Sequence, residues 1–253
     1  MTISILTLFP EMFIGPFDHS IIKRAKEKNL LEIEFINIRN FGIGKHKVID
    51  DTPYGGGTGM IMRPDVLAKA ITHTKQNFLL CHSREDGNPA PPNHKITQKT
   101  ILLSASGQTF NQQKAKQFSK LDHLILICGH YEGVDERIKK YIDEEISIGD
   151  FVLTGGEIPS MLITDSVARL ITGTLKEDAT THESFSLKGN ENETYLEYPH
   201  YTRPPVFEDM PVPEVLLTGD HKKIHNWRML KAREKTLNLR PDLLNTSNKR
   251  SIN

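Results

Sequence analysis

Five consecutive apolar residues, Leu124-Ile125-Leu126-Ile127-Cys128, run directly into a glycine at position 129. A short apolar run closed by a turn residue predicts a buried strand. Further strands are expected at residues 3–9, 31–38 and 101–103, with a short one at 79–81. Helices are expected at 20–28, 63–75 (Pro64 suits a first helical turn), 112–120 and 159–171. Strands alternating with helices imply an α/β domain whose sheet is mostly parallel and doubly wound. The proline-bearing stretch 82–98 reads as an exposed excursion.

Two glycine-rich segments lie near the central strand, GHYEGVDER at 129–137 and SIGDFVLTGGEIP at 147–159, and a small-residue loop, SASG, follows the strand at 101–103. Glycine directly after a strand lets a ligand approach the main chain, and open α/β sheets bind ligands at the carboxyl ends of their strands. Rich in acids and lacking a lysine cradle, the loops suit an adenosine-type ligand held by backbone. The stretch YGGGTGM at 54–60 lacks the Gly-Lys-Ser/Thr ending of a phosphate loop. GxGxxG after the first strand, GxSxG and HExxH are absent too. Within the helix at 159–171, Asp165 and Arg169 lie four apart on one face, a spacing that serves equally for a surface ion pair.

The 253 residues carry a formal net charge of zero, so any nucleic-acid partner has to announce itself locally. It does so at the C-terminus. From 219 to 253 there are nine basic residues against three acids, most of the basic ones on a helix expected at 220–235. Upstream, YLEYPHYTRPP at 195–205 supplies aromatics for stacking on unpaired bases. The polar stretch 172–182 reads as a linker, dividing the chain into an α/β domain at 1–172, a linker at 173–182 and a C-terminal domain at 183–253. Two distant cysteines, Cys81 and Cys128, suggest neither disulfides nor zinc, the start reads as a strand rather than a signal peptide, and no segment is long enough to span a membrane. A cytoplasmic location follows.

Seven ordered blocks then carry a resemblance: FPEMF (9–13), DDTPYGGGTGM (50–60), CGHYEGVDER (128–137), SIGDFVLTGGEIP (147–159), ESF (183–185), EYPHYTRP (197–204) and RPDLL (240–244). Together they closely resemble the bacterial tRNA (guanine-37-N1)-methyltransferases of the SPOUT superfamily. The resemblance implies a parallel sheet ending in a trefoil knot, an exception to the rule against threaded chains, and a small, mainly helical C-terminal domain. It implies S-adenosylmethionine held by three loops: Leu103, Ser104 and Gly107; Gly129, Tyr131, Glu132 and Gly133; Ile148, Gly149, Asp150, Phe151, Val152, Leu153, Gly155 and Gly156. It further implies a homodimer whose active site is shared between subunits, with the anticodon arm of tRNA gripped by Asp50, Gly59, Tyr201, Arg203, Lys222 and Arg228.

Guanine N1 becomes nucleophilic only as its proton leaves, so a general base is needed. By resemblance the base is Glu183, where many relatives carry aspartate; Arg169 stabilises charge developing on O6, and Asp165 holds Arg169. Family members use magnesium, for which Asp150, Glu157 and Asp165 are candidate partners, although no carboxylate cluster here demands a metal. Thr58, Ala105 and His130 depart from the family's usual proline, proline and arginine, and 84–94 and 188–194 look like insertions. Two other readings stay open: a SPOUT enzyme modifying another RNA position, such as a ribose oxygen, and a non-catalytic RNA-binding relative.

Overall fold

The computed structural model of the chain describes residues 1–82, 96–176, 178–189 and 193–244. The chain divides into two compact units, 1–175 and 176–253. The first is built on a five-stranded sheet, all of its pairings parallel. Its strands are β1 (Thr2–Thr7), β2 (Glu32–Asn37), β5 (Gln98–Thr109), β6 (His123–Cys128) and β7 (Glu144–Ser147), in spatial order β2-β1-β6-β5-β7.

The central pair explains the apolar run that dominates the sequence. Every residue of β1 and β6 is buried. Because strand side chains alternate between faces, Leu124, Leu126 and Cys128 join Ile3 and Ile5 in one core with Ile163 and Val167. Ile125 and Ile127 join Leu6 in the other with Val66, Leu67 and Ile71. The first core lies under helices α1 (Ser20–Glu27) and α4 (Glu157–Ala168), the second under α2 (Pro64–His82). With both faces covered, alternation disappears and the strand reads as continuously apolar. Helix α3 (Gln112–Phe118), capped by the Asn111 side chain, links β5 to β6.

Three sequence expectations are corrected. Leu79, Leu80 and Cys81 do not form a strand but continue α2, whose buried face runs Val66, Ala70, Thr74, Phe78; Leu79 and Leu80 are 44% and 53% exposed on its outer side. Three adjacent apolar residues mimic a short strand although all three are exposed and the helix's apolar stripe passes through the neighbouring Phe78. Second, the strand at 101–103 does not end in the 104–107 loop. β5 runs on to Thr109, and both Leu103 and Gln108 sit opposite Ile146, so 104–107 bulge out of a continuous strand. Third, residues 144–147 form β7, a strand that Glu144 and Glu145 disguise in the sequence; it is an edge strand, where charge is tolerated. The excursion at 82–98 shrinks at both ends, to α2 and β5, and its residues 83–95, with the candidate insertion at 84–94, lie outside the described residues.

In the first unit the 50–60 block forms a hairpin, β3 (Asp50–Asp51) against β4 (Ile61–Met62), its tip led by Tyr54 at 99% exposure. The second unit contains one long helix, α5 (His221–Leu239), capped by the Asp220 side chain, and two short antiparallel pairs. These are β8 (Leu187–Lys188) with β9 (Thr194–Tyr195), and β10 (Val206–Phe207) with β11 (Met210–Pro211). The candidate insertion at 188–194 spans the β8–β9 turn, of which 190–192 lie outside the described residues, as does the tail 245–253 with Lys249 and Arg250. Among the described residues no helix is long and apolar enough to cross a membrane.

Candidate active site

The bulge of β5 and the carboxyl ends of β6 and β7 converge on a cavity of about 330 Å³. Its lining comes from three segments: Leu102 to Ser106, Gly129 to Val134, and Ile146 through Gly156 without Asp150, with Pro159. Thus the β5 bulge, the loop after β6 and the loop after β7 form one wall each. Of the residues expected to hold a cofactor, Leu103, Ser104, Gly129, Tyr131, Glu132, Gly133, Ile148, Gly149, Phe151, Val152, Leu153, Gly155 and Gly156 line it. Gly107 and Asp150 do not. Gly107 is pressed against the main chain of β7, where a Cβ would stand 2.5 Å from the Ile146 nitrogen. Ala105 and His130, which depart from the family pattern, also line the cavity, as do Ser106, Val134 and Thr154, none of them expected to hold the cofactor although they flank residues that are.

Two of the walls are stitched together by backbone. His130 and Gly155 form an isolated antiparallel bridge, and the Gly156 N–H donates to the Gly129 carbonyl at 2.9 Å. At that crossing a Cβ on Gly156 would lie 2.5 Å from the Cys128 Cα, so only glycine lets the two segments pass this closely. The hairpin adds an outer support. The Glu132 N–H donates to the Met60 carbonyl, the Met62 N–H to the Gly133 carbonyl, and Gly59, at φ +86, packs directly on the Glu132 side chain. Asp50 pairs with Met62 on the neighbouring strand.

Among the described residues no lysine or arginine lines the cavity, and Glu132 is the one carboxylate that does. Nucleotide phosphates would find no counter-charge there, whereas a neutral or cationic adenosyl group, covered by the exposed side chains of Tyr131, Phe151 and Leu153, suits it. Beneath the lining, Glu157 begins α4 at only 2% exposure; the Thr7 hydroxyl donates to it at 2.7 Å, and His130 Nε2 is 4.0 Å away. A carboxylate at a helix N-terminus is favoured by the helix dipole. Burial, reinforced by the Glu157 charge and opposed by Ser160, pushes the Cys128 thiol well above its ordinary pKa. It is therefore no nucleophile.

Asp165 lies on the exposed side of α4, and Arg169 caps the C-terminus, its N–H donating to the Asp165 carbonyl at 3.3 Å. At about 1.5 Å per residue, α4 carries Arg169 roughly 20 Å along its axis from Gly156. Glu183 belongs to the second unit, where its carbonyl accepts the N–H groups of Ser186 and Leu187. In that unit Tyr201, Arg203 and Arg228 line a separate cavity, while Lys222 sits in the first turn of α5, its N–H donating to Asp220. Among the described residues no three His, Cys, Asp or Glu side chains are grouped to hold a metal ion. The candidate magnesium partners Asp150, Glu157 and Asp165 are therefore not such a group.

A family model described as tRNA (Guanine-1)-methyltransferase TrmD matches residues 1–246. The chain is 50% identical over 245 residues to a tRNA (guanine-N(1)-)-methyltransferase of Dictyoglomus turgidum, covering 96% of this chain and 90% of that protein. It is 47% identical to one from Dehalococcoides mccartyi with the same coverage. With one from Carboxydothermus hydrogenoformans it shares 49% identity, over 96% of this chain and 87% of the relative.

Proposed function

The chain belongs to the tRNA (guanine-1)-methyltransferase family, and from that premise we propose that it transfers a methyl group from S-adenosylmethionine to N1 of guanine 37 in tRNA, beside the anticodon. The observation that carries this reading is the three-walled cavity, which offers glycine backbone, aromatic cover and, among the described residues, one carboxylate and no lysine or arginine for phosphates. S-Adenosylmethionine bound there supplies an electrophilic methyl group on a sulfonium.

The chain's own residues supply the rest. Glu183 accepts the N1 proton of guanine, freeing the lone pair that attacks the methyl carbon. Arg169 faces the O6 oxygen and stabilises the negative charge that grows there as the proton leaves. Asp165 orients Arg169 from one helical turn away. Asp50, Gly59, Tyr201, Arg203, Lys222 and Arg228 grip the anticodon arm, and 173–182 act as the linker between the two functional domains. Pro159 is the cavity-lining residue of α4, and the roughly 15 Å of helix axis between it and Arg169 favours a homodimer in which a second copy completes each site. No step is assigned to magnesium, for which the described residues offer no three-ligand group.

Calorimetry with S-adenosylmethionine, paired with single-turnover methyl transfer to a tRNA transcript, tests this assignment. Glu183→Gln is expected to lower the transfer rate by about 10²- to 10⁴-fold and Arg169→Ala by about 10²- to 10³-fold, each with cofactor affinity retained. A near wild-type rate for either variant removes that residue from the chemistry.

A further inference from the structure

The second unit holds a cavity of about 450 Å³ to which the methyl-transfer chemistry assigns no ligand of its own. That volume lies within the roughly 300–1,000 Å³ typical of small-ligand pockets. Aromatic rings of Tyr198, Tyr201 and Trp227 line it together with Arg203 and Arg228, over a base of aliphatic side chains from α5 and the segment before it. Helix α5 delivers Trp227 and Arg228 at helical spacing from Ile224, so one helix face supplies apolar, aromatic and cationic surface side by side. Tyr201 and Trp227 stand 6.2 Å apart between ring centroids at an interplanar angle of 60°, so they form two adjoining walls and leave ring faces uncovered by each other. The Arg228 guanidinium lies 4.9 Å above the Tyr198 ring. Among the described residues no aspartate or glutamate is part of the lining.

Aromatic faces beside two guanidinium groups, with no acid in the lining, match an occupant that is flat at one end and anionic at the other. We propose that this cavity is a subsite for one unstacked nucleotide of the RNA substrate, its base against Tyr201 and Trp227 and its phosphate on Arg203 and Arg228. The inference rests on the tRNA reading above and adds to it a place where a single base is taken out of the stack, remote in sequence from the cofactor loops.

Trp227 is the only tryptophan in the chain, so tryptophan emission, excited selectively over tyrosine, reads this cavity alone. Titration of the full-length protein with an unmodified tRNA transcript is expected to quench that emission saturably. Trp227→Ala weakens tRNA binding about tenfold and leaves S-adenosylmethionine affinity unchanged, which shows that the first unit is folded, while an unchanged thermal melting profile shows the same of the second. Trp227→Phe, which keeps a stacking face, recovers most of the loss. Arg228→Gln lowers the slope of log affinity against log salt by about one. If tRNA binds and is methylated while emission stays constant, or Trp227→Ala binds tRNA as the wild type does, the subsite is wrong and the methyltransferase reading stands. If tRNA does not bind at all, both fall. Emission that changes with protein concentration in the absence of RNA assigns the cavity to a second copy of the chain and overturns the proposal.

Discussion

Gly156 shows how a single missing Cβ fixes the cofactor cavity. Its φ of −81 is open to any residue, so its requirement for glycine comes from space, namely the Cys128 Cα at 2.5 Å from a would-be Cβ. Gly15 is the opposite case, with φ +99 and nothing within 4 Å. Gly156→Ala must push two main-chain segments apart, an overpacking cost of about 1–3 kcal/mol, and this falls on the cavity wall. The expected outcome is a loss of S-adenosylmethionine affinity of about tenfold or more, since about 1.4 kcal/mol is tenfold. Gly15→Ala lowers the melting temperature through backbone strain alone and leaves cofactor affinity as it was. Calorimetry on the two variants compares them directly, and equal effects on affinity would refute the crossing as the constraint. The sequence displayed both glycines but not this difference, because the contact joins residues 128 and 156, which no local pattern connects.

At the scale of elements, β7 holds its place in the sheet through charge as well as hydrogen bonds. Lys99 and Lys114 both pair with Glu144. Burial raises the carboxyl's pKa, but the two lysines outweigh it and the net shift is downward. A carboxyl whose folded pKa lies below its unfolded value adds stability that is complete above the unfolded pKa and is lost as pH falls through the folded one. Melting temperature should therefore drop on acidification below the ordinary glutamate range, and Glu144→Gln should flatten that limb while lowering stability at neutral pH. An unchanged acid limb in the variant would assign the loss to other groups. The same charges explain what could be read beforehand. The apolar strands β1 and β6 and the amphipathic helices were legible because burial wrote their pattern into the sequence. An edge strand beginning Glu-Glu carries no such pattern, and the β5 bulge looked like a strand end because small polar residues interrupt the apolar run. The three cofactor walls were legible as loops, although Gly107 and Asp150 were chosen with their neighbours and fall outside the cavity lining.

For the whole molecule, the family assignment makes the sheet order β2-β1-β6-β5-β7 that of a SPOUT α/β fold with a trefoil knot. Strand and helix periodicity alone predicted an ordinary doubly wound sheet, since periodicity records which face of an element is buried and nothing about which loop the chain passes through. The proposed homodimer also has a consequence. If each site combines the cofactor cavity of one protomer with Glu183 of the partner subunit, mixing Gly156→Ala with Glu183→Gln gives mixed dimers in which one of the two sites is intact. With S-adenosylmethionine too dilute to fill the Gly156→Ala cavity, activity should return on mixing two proteins that transfer little alone. Continued inactivity, with subunit exchange demonstrated, would place each complete site within one chain.

The central claim is the identity of the atom that receives the methyl group. Incubating the protein with unmodified bacterial tRNA and methyl-labelled S-adenosylmethionine, then mapping the label by nuclease digestion and mass spectrometry, reads that atom directly. The account predicts 1-methylguanosine at position 37. Label on a ribose oxygen or another base, or cofactor bound without any transfer, would contradict it.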